Sequence, residues 1–435
     1  METLLAAIEE VSTAPATSKR KICLDGLPPE LIHKILLLVP QPYVLNFGLT
    51  SRRNLELCQL ALHRKVTLTP ANQPSFHASK IAQAEPSLRW VHDLQLGRSW
   101  DDYSSGWDAL SDSSILTAFP NLRSLDASNH PHMEGWAGVS RVLQALPPTV
   151  IEFKGNVDGL GDSPQMVWPS NRVFPNYRTL VLDWENPLRQ ITAERFEVPR
   201  TLSVNFPNLV KLSLAFPVPP IGFDKFLSSS HFPHLESCDL VIRASPWDSP
   251  VLGLDVGHGL ATFLSRHANT LRRLCLPNWA IPRDVAAAFS QLPLKLSHLH
   301  ACIHMATTIS HSLSLSATLH SFHVESCMHY WSFEALPEAL PRTFDAVDEV
   351  VVDATLRLPE DLDQLPRLAP KARSLTIHCG RASTSMMVSM LEGKSTLLRN
   401  YRELEEIVIL SQDGHAAKCA PVRDPIRGNV TLKAR

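Results

Sequence analysis

The side chains best able to do chemistry lie in two short runs. HLHACIH (298–304) sets His298, His300, Cys302 and His304 at alternate positions, on one side of an extended strand. Structural zinc favours C-x-x-C or H-x(3–5)-H spacing with a closed tetrahedral set. Alternate residues of one strand stand about 7 Å apart, so no metal site is expected from this run. GDSP (161–164) offers Ser163 as a nucleophile. It sits in a Gly/Pro stretch, and no Asp-x-x-His lies near the C-terminus. Even with Asp353 or His378 available, a nucleophile needs a positioned base and an oxyanion site. A turn is the better reading.

The remaining chemistry is excluded by pattern. Cysteines stand at 23, 58, 238, 275, 302, 327, 379 and 419 with no C-x-x-C pair, which reads as scattered buried thiols in a reducing compartment. Neither G-x-x-x-x-G-K-[ST] nor G-x-G-x-x-G occurs, so no nucleotide cofactor is expected. No aromatic residues interleave with a basic tract, which argues against nucleic acid. The chain reads as a non-enzyme without cofactors.

What must position the outward side chains is a repeating pattern. An apolar-x-x-apolar-x-apolar hexad opens at Val91, Leu122, Val150, Tyr177, Leu209, Leu235, Leu271, Leu296, Leu319, Val347, Ala372 and Leu404. The mean spacing is about 28 residues, inside the range of leucine-rich repeats. Several copies share a Phe-Pro lead-in: FPNLRSLDA at 119, FPNYRTLVL at 174, FPNLVKLSL at 206 and FPHLESCDL at 232. Helix-like stretches separate the hexads, among them 139–146, 259–268, 284–292 and 385–404. The expected architecture is α/β, a leucine-rich-repeat solenoid over 69–414. About 12 irregular units would carry strands on a concave face and helices on a convex one. Residues 159–172 and 243–259 are rich in Gly, Pro, Ser and Asp and read as inserted loops.

Outside the repeats, residues 1–20 read as a flexible leader around a short helix, 4–11, and 415–435 as a tail or cap. Residues 21–68 read as three helices. The first follows Asp25-Gly26 and starts on Pro28-Pro29, where prolines lose no hydrogen bond. It ends at Pro40 and Pro42, and YVLNFGLTSRR and NLELCQLALHR follow. Fifty residues seldom bury enough apolar surface to be stable alone, so such a module needs something to pack on.

Composition sets the frame for partners. With 44% hydrophobic residues the chain has ample core material, and 41 basic against 43 acidic residues leave a net charge of -2. No global field favours nucleic acid or an anionic membrane. No secretory signal and no apolar run of about 18 residues is present, so a cytoplasmic or nuclear location is expected, with no membrane contact.

The segment LPPELIHKILLLVPQPYVLNFGLTSRRNLELCQLALHRKVTL resembles the F-box, a three-helix motif. The matching elements are Leu27-Pro28, Glu30-Leu31, Ile35-Leu36, Leu45, Leu49 and Ser51-Arg52. Its many-proline style is similar to the divergent F-box proteins of filamentous fungi. The resemblance implies that the box binds a Skp-type adaptor, and through it a cullin ubiquitin ligase, while the repeats hold a protein substrate. The docking surface it implies is Leu27, Pro28, Leu31, Ile32, Ile35, Leu36, Leu45, Leu49, Ser51 and Arg52. The alternative is a non-catalytic leucine-rich scaffold whose N-terminal helices only cap the solenoid.

Outward positions of the hexads place Asp93, Asp126, Asp183 and Asp239 on the concave face. Later units add Arg273, His298, His300, Cys302, His323, Glu325, Glu349 and Asp353. Arg273, His298, His300, His323 and Glu325 lie on three adjacent repeats and form the candidate substrate-binding patch. The alternative is an ordinary solvated face.

Overall fold

An apolar residue that recurs every second position wants a sheet with one covered face, and each hexad here becomes a strand. The structure is a computed structural model. It describes residues 27–39, 41–68, 86–97, 116–129, 133–158, 172–184, 198, 201–216, 220, 222–242, 254–277, 288–289, 292–302, 305–306, 309–310, 315–325, 343–353, 365–379, 384–393, 397–401, 403–411, 416–423 and 430–434. The described residues divide into two compact units, one of 27–66 with 86–91, the other running from 67 onward. The expected leader and its helix lie outside the described residues.

The first unit holds α1 (Pro29–Leu36), α2 (Gln41–Gly48) and α3 (Arg52–His63). A 3-10 turn, Pro86–Trp90, also belongs to it. The second expected helix stops at Gly48 rather than running into Ser51-Arg52, because Ser51 is extended and caps α3. Ile32, Leu36, Val44 and Cys58 form the core, with Leu27, Val39, Phe47, Leu57, Ala61 and Leu62 packed around them.

The strand β1 (Lys65–Leu68) spans the boundary. The second unit then carries β2 (Asp93–Leu96), β3 (Ser124–Ala127), β4 (Met133–Glu134), β5 (Glu152–Asp158), β6 (Thr179–Trp184), β7 (Lys211–Phe216), β8 (Ser237–Ile242), β9 (Arg273–Leu276), β10 (His298–Cys302), β11 (Ser321–Glu325), β12 (Glu349–Asp353), β13 (Ser374–His378) and β14 (Glu406–Leu410). Apart from the two-residue β4, each of these starts two residues after a hexad opens. They pair in chain order and in parallel, forming one long open sheet, with β4 lying off the path beside β5. Residues 416–434 add two antiparallel strands, β15 (Ala416–Arg423) and β16 (Val430–Ala434), so the last segment extends the sheet.

Register is set by one repeated hydrogen-bond device. The carbonyl of each hexad's second residue accepts the N–H groups of the second and third residues of the next unit. His92 takes Arg123 and Ser124 at 2.7 and 2.9 Å, and Arg178 takes Val210 and Lys211 at 2.8 and 2.9 Å. Arg272 takes Ser297 and His298 at 2.8 and 3.1 Å, and the pattern continues without a break to Arg373 with Glu405 and Glu406. The Phe-Pro lead-in makes the corner before it. The carbonyls of Phe119, Phe206 and Phe232 accept from the N–H three residues on, at 3.1 to 3.3 Å, while their rings are buried, and Phe344, followed by Asp345 rather than proline, does the same at 3.2 Å. Asn176 and Asn208 in these corners donate to the carbonyls of Pro148 and Pro175, tying each corner to the preceding one.

Between strands lie α4 (Gly135–Ala145), α5 (Leu202–Asn205), α6 (Phe223–Ser229), α7 (Leu254–His267), α8 (Leu315–Thr318), α9 (Leu365–Leu368), α10 (Thr384–Gly393) and α11 (Leu397–Asn400). The helix expected over 259–268 begins earlier, at Leu254, inside the expected loop, and the described residues of the one expected over 385–404 lie in α10 and α11. Of 284–292 only 288–289 and 292 are described, and of 159–172 only residue 172. Among the described residues no helix is long and apolar enough to cross a membrane.

Two sites in α7 show how tightly the units stack. A Cβ on Gly259 would lie 2.7 Å from the Asp224 carbonyl oxygen of α6, a backbone atom that cannot swing away. His267 is buried against Phe263, with the ring centroids 4.3 Å apart. The Phe232 N–H donates to its Nε2 at 2.9 Å, so Nδ1 carries the proton and donates to the Phe263 carbonyl at 2.7 Å. Burial holds its pKa down at about 4, against the opposing hydrogen bond to Phe263.

Two outcomes follow. Gly259→Ala, which elsewhere in a helix gains up to about 1 kcal/mol in propensity, should here lose about 1–3 kcal/mol in urea unfolding. His267 stays neutral when folded, while the unfolded residue takes up a proton below pH 6.5. Its contribution therefore falls as pH drops from about 6.5 towards 4, by about 2 kcal/mol at pH 5. Urea midpoints at neutral pH and at about pH 5 should separate wild type from His267→Gln by that amount, with the variant the less acid-sensitive.

Candidate functional site

Two surfaces carry the residues singled out from the sequence. On the helical unit, the apolar residues divide between inside and outside. Ile32 and Leu36, expected on the docking surface, are buried in the unit's own core at 1% and 4% exposure. A helix pattern marks an apolar stripe but does not say which part of it the neighbouring helices take. Ile35 and Leu27 are half-buried, and Pro28 is exposed. Leu31, Leu45 and Leu49 are the expected residues that face outward, at 46%, 46% and 71% exposure. The sequence reading missed Leu38, Tyr43 and Leu55, which are also exposed.

Ser51 and Arg52 have local work. Ser51 is the N-cap of α3, its Oγ accepting the Asn54 N–H at 3.1 Å. The Asn54 side chain donates in turn to Thr50 Oγ1 at 2.9 Å. Arg52 pairs along the helix with Glu56 at 3.6 Å, both well exposed, so the pair adds little to stability.

On the sheet, side chains alternate between the covered face and the open one, as in the buried and half-buried pattern of β6 and β8. Asp93, Asp126, Asp183 and Asp239 are half-buried on the open side. Asp126 accepts from the N–H of Ser128 at 3.1 Å and from its hydroxyl at 2.5 Å. Asp239 lies 3.9 Å from Lys211. Burial raises its pKa, and the charges of Lys211, Arg273 and His300 and a hydrogen bond from Ser213 pull the other way.

The later strands bring the expected patch together. Arg273 and His298 are exposed, on strands in register with each other. His298 Nδ1 lies 2.8 Å from Ser297 Oγ, and its pKa is lowered by desolvation and by Arg273. His300 and His323, in register on β10 and β11, stack face to face with centroids 3.9 Å apart and planes 7° from parallel. Cys275 Sγ is 3.1 Å from His300 Nδ1. His323 Nε2 is 2.9 Å from Asp353 Oδ2, and His378 Nδ1 is 3.7 Å from Asp353 Oδ1. The His323 hydrogen bond holds the Asp353 carboxyl below the usual range against partial burial, with the fields of His323, His378 and His300 helping. Glu349 accepts from Ser321 Oγ at 3.2 Å.

Cys302 departs from expectation. It is buried, and its sulfur accepts from the Met305 N–H at 3.4 Å, because the alternation ends where the chain turns off β10. The side chain of Glu325 and all of His304 and Ser163 lie outside the described residues. His378 joins the cluster without having been singled out for it. Aligning the hexads would have found it, since Asp353 and His378 are both seventh residues and stand in register.

A shallow polar cleft of about 500 Å³ lies at the start of β6 to β9, lined by Arg178, Val210, His234, Glu236, Asn269, Thr270 and Arg272. Its two guanidinium groups already donate to the backbone carbonyls of Asn208, Leu271 and Asn269, so their donors are used in holding corners.

Removing the Ser51 oxygen leaves the first turn of α3 short of an acceptor. Ser51→Ala should cost about 1 kcal/mol, read as roughly fivefold faster amide hydrogen exchange in α3.

No family model matches the chain, and no curated protein matches it in sequence. Among solved structures, a chain of the Rad7 and Elc1 complex in yeast is similar at a TM-score of 0.38 and 13% identity, covering 94% of this chain and 92% of that one.

Proposed function

We propose that the chain is a substrate-recognition adaptor of a Skp/cullin/F-box ubiquitin ligase. In this reading the helical unit is an F-box that docks a Skp-type adaptor, and through it a cullin. The strands belong to leucine-rich repeats whose open face holds the protein to be ubiquitylated. The observation that carries it is the outward leucine set. Leu31, Leu45 and Leu49, three of the residues on which the F-box resemblance rests, stay exposed on a helical unit that has built a core without them. Exposed apolar side chains on short helices suit a groove-filling contact, and their burial by a partner is favourable. Ile32 and Leu36 then support the docking surface from beneath, and Ser51 sets the start of α3.

On the open sheet face, Arg273, His298, His300 and His323 offer donors and aromatic surface on three neighbouring strands. Target recognition through such a face depends on side chains that the core does not need.

The test is capture of a purified Skp-type adaptor by the full chain. Leu45→Asp with Leu49→Asp should lower capture by about tenfold or more, as expected for lost apolar anchors, while the circular dichroism of the chain stays unchanged. Equal capture by a normally folded double variant removes the docking reading.

A further inference from the structure

Parallel strands in register set matching residues of neighbouring units about 4.8 Å apart, much closer than alternate residues on one strand. This spacing sets His300 beside His323, and Asp353, two residues beyond the position paired with His323, reaches the same pair diagonally. One donor atom each from His300 on β10, His323 on β11 and Asp353 on β12 lies within 4.8 Å of the other two. His323 Nε2 and Asp353 Oδ2 are already 2.9 Å apart. The imidazoles of His300 and His323 are stacked with their planes 7° from parallel.

We propose that His300, His323 and Asp353 bind a divalent transition-metal ion of the zinc class on the open face of the sheet. Two imidazoles and a carboxylate are a recurrent ligand set for zinc, with three protein donors and a fourth position left for water. Calcium and magnesium call for oxygen donors alone and are disfavoured by the two histidines. With zinc–donor distances of about 2.0–2.1 Å, neighbouring donors of a tetrahedron stand roughly 3.4 Å apart. An ion lies close to the plane of each imidazole that holds it, so His300 and His323 must swing out of their parallel stack to share one.

The surrounding residues act as a supporting shell. Cys275 Sγ lies 3.1 Å from His300 Nδ1 and holds that side of the ring. Partners of this kind orient ligands and raise affinity. His378 Nδ1 stands 3.7 Å from the other Asp353 oxygen, too far for a direct hydrogen bond. A hydrogen-bonded pair on a solvated face requires only His323 and Asp353. It gives no reason for a second imidazole stacked at 3.9 Å with a thiol behind it.

This inference stands apart from the adaptor reading, because the ion alone is the probe. The full chain, stripped with chelator, is titrated with zinc chloride by calorimetry and with cobalt(II) by visible absorption. One tight equivalent, a raised unfolding temperature and an intense tetrahedral cobalt band are expected. His323→Gln and Asp353→Asn should each weaken zinc binding by about 100-fold or more, and Cys275→Ala by about 10-fold. The chain has 19 histidines, which give weak adventitious binding, so the comparison among variants decides. Affinity that is equal in wild type and in folded His323→Gln and Asp353→Asn overturns the proposal, as does the absence of saturable binding. Metal-free unfolding midpoints establish that each variant is folded, and His300→Asn replaces any that is not.

Discussion

The structure depends on a shared acceptor. The carbonyl of each hexad's second residue takes two N–H groups from the next unit, and this recurs from His92 to Glu406. A single bond of this kind nets little stability, but leaving its donors buried and unpaired costs more, so the repeat tolerates no slip. Register follows, and with it the positions that face the core and those that do not. The apolar positions can then be filled by any residue of about the right size. Between the units of β6 and β7, Trp184 stacks on Phe216 at one end of the strands and Phe174 on Phe206 at the other, without change to the ladder.

Much of this was legible in the sequence because period-two burial leaves a direct trace. The weak copy at Val150, which ends on Gly155, still gives the strand β5, since its ladder bonds need only backbone and the apolar Val150 and Phe153 are fully buried. The helices were less legible. Residues 385–404 read as one apolar segment, and the described residues there form α10 and α11. In the helical unit, Ile32 and Leu36 share a stripe with Leu31, and periodicity alone could not divide them between core and surface.

The histidine cluster shows a different limit. Judged along β10, the alternate histidines are too far apart to share an ion, and that judgement of the strand is sound. It says nothing about neighbours that become adjacent only through pairing. His300 meets His323 across 23 residues of chain, and Asp353 meets His378 by the same rule. Chemistry in a stacked repeat is written across the repeats, so the useful reading runs down a column of equivalent positions.

That column logic also separates folding from recognition. Positions that point to the covered face carry the apolar burial, and the corner residues carry the ladder. The third and fifth hexad positions on β9 to β11 join the ladder only through their backbone, and their side chains stay out of the core. Arg273, His298, Cys275, His300 and His323 occupy those positions, so their identities are free of the core's demands. A solvated polar face would be satisfied by almost any hydrophilic residues there. Here the fifth positions set a thiol and two imidazoles side by side, and Asp353, a seventh position, adds a carboxylate against His323.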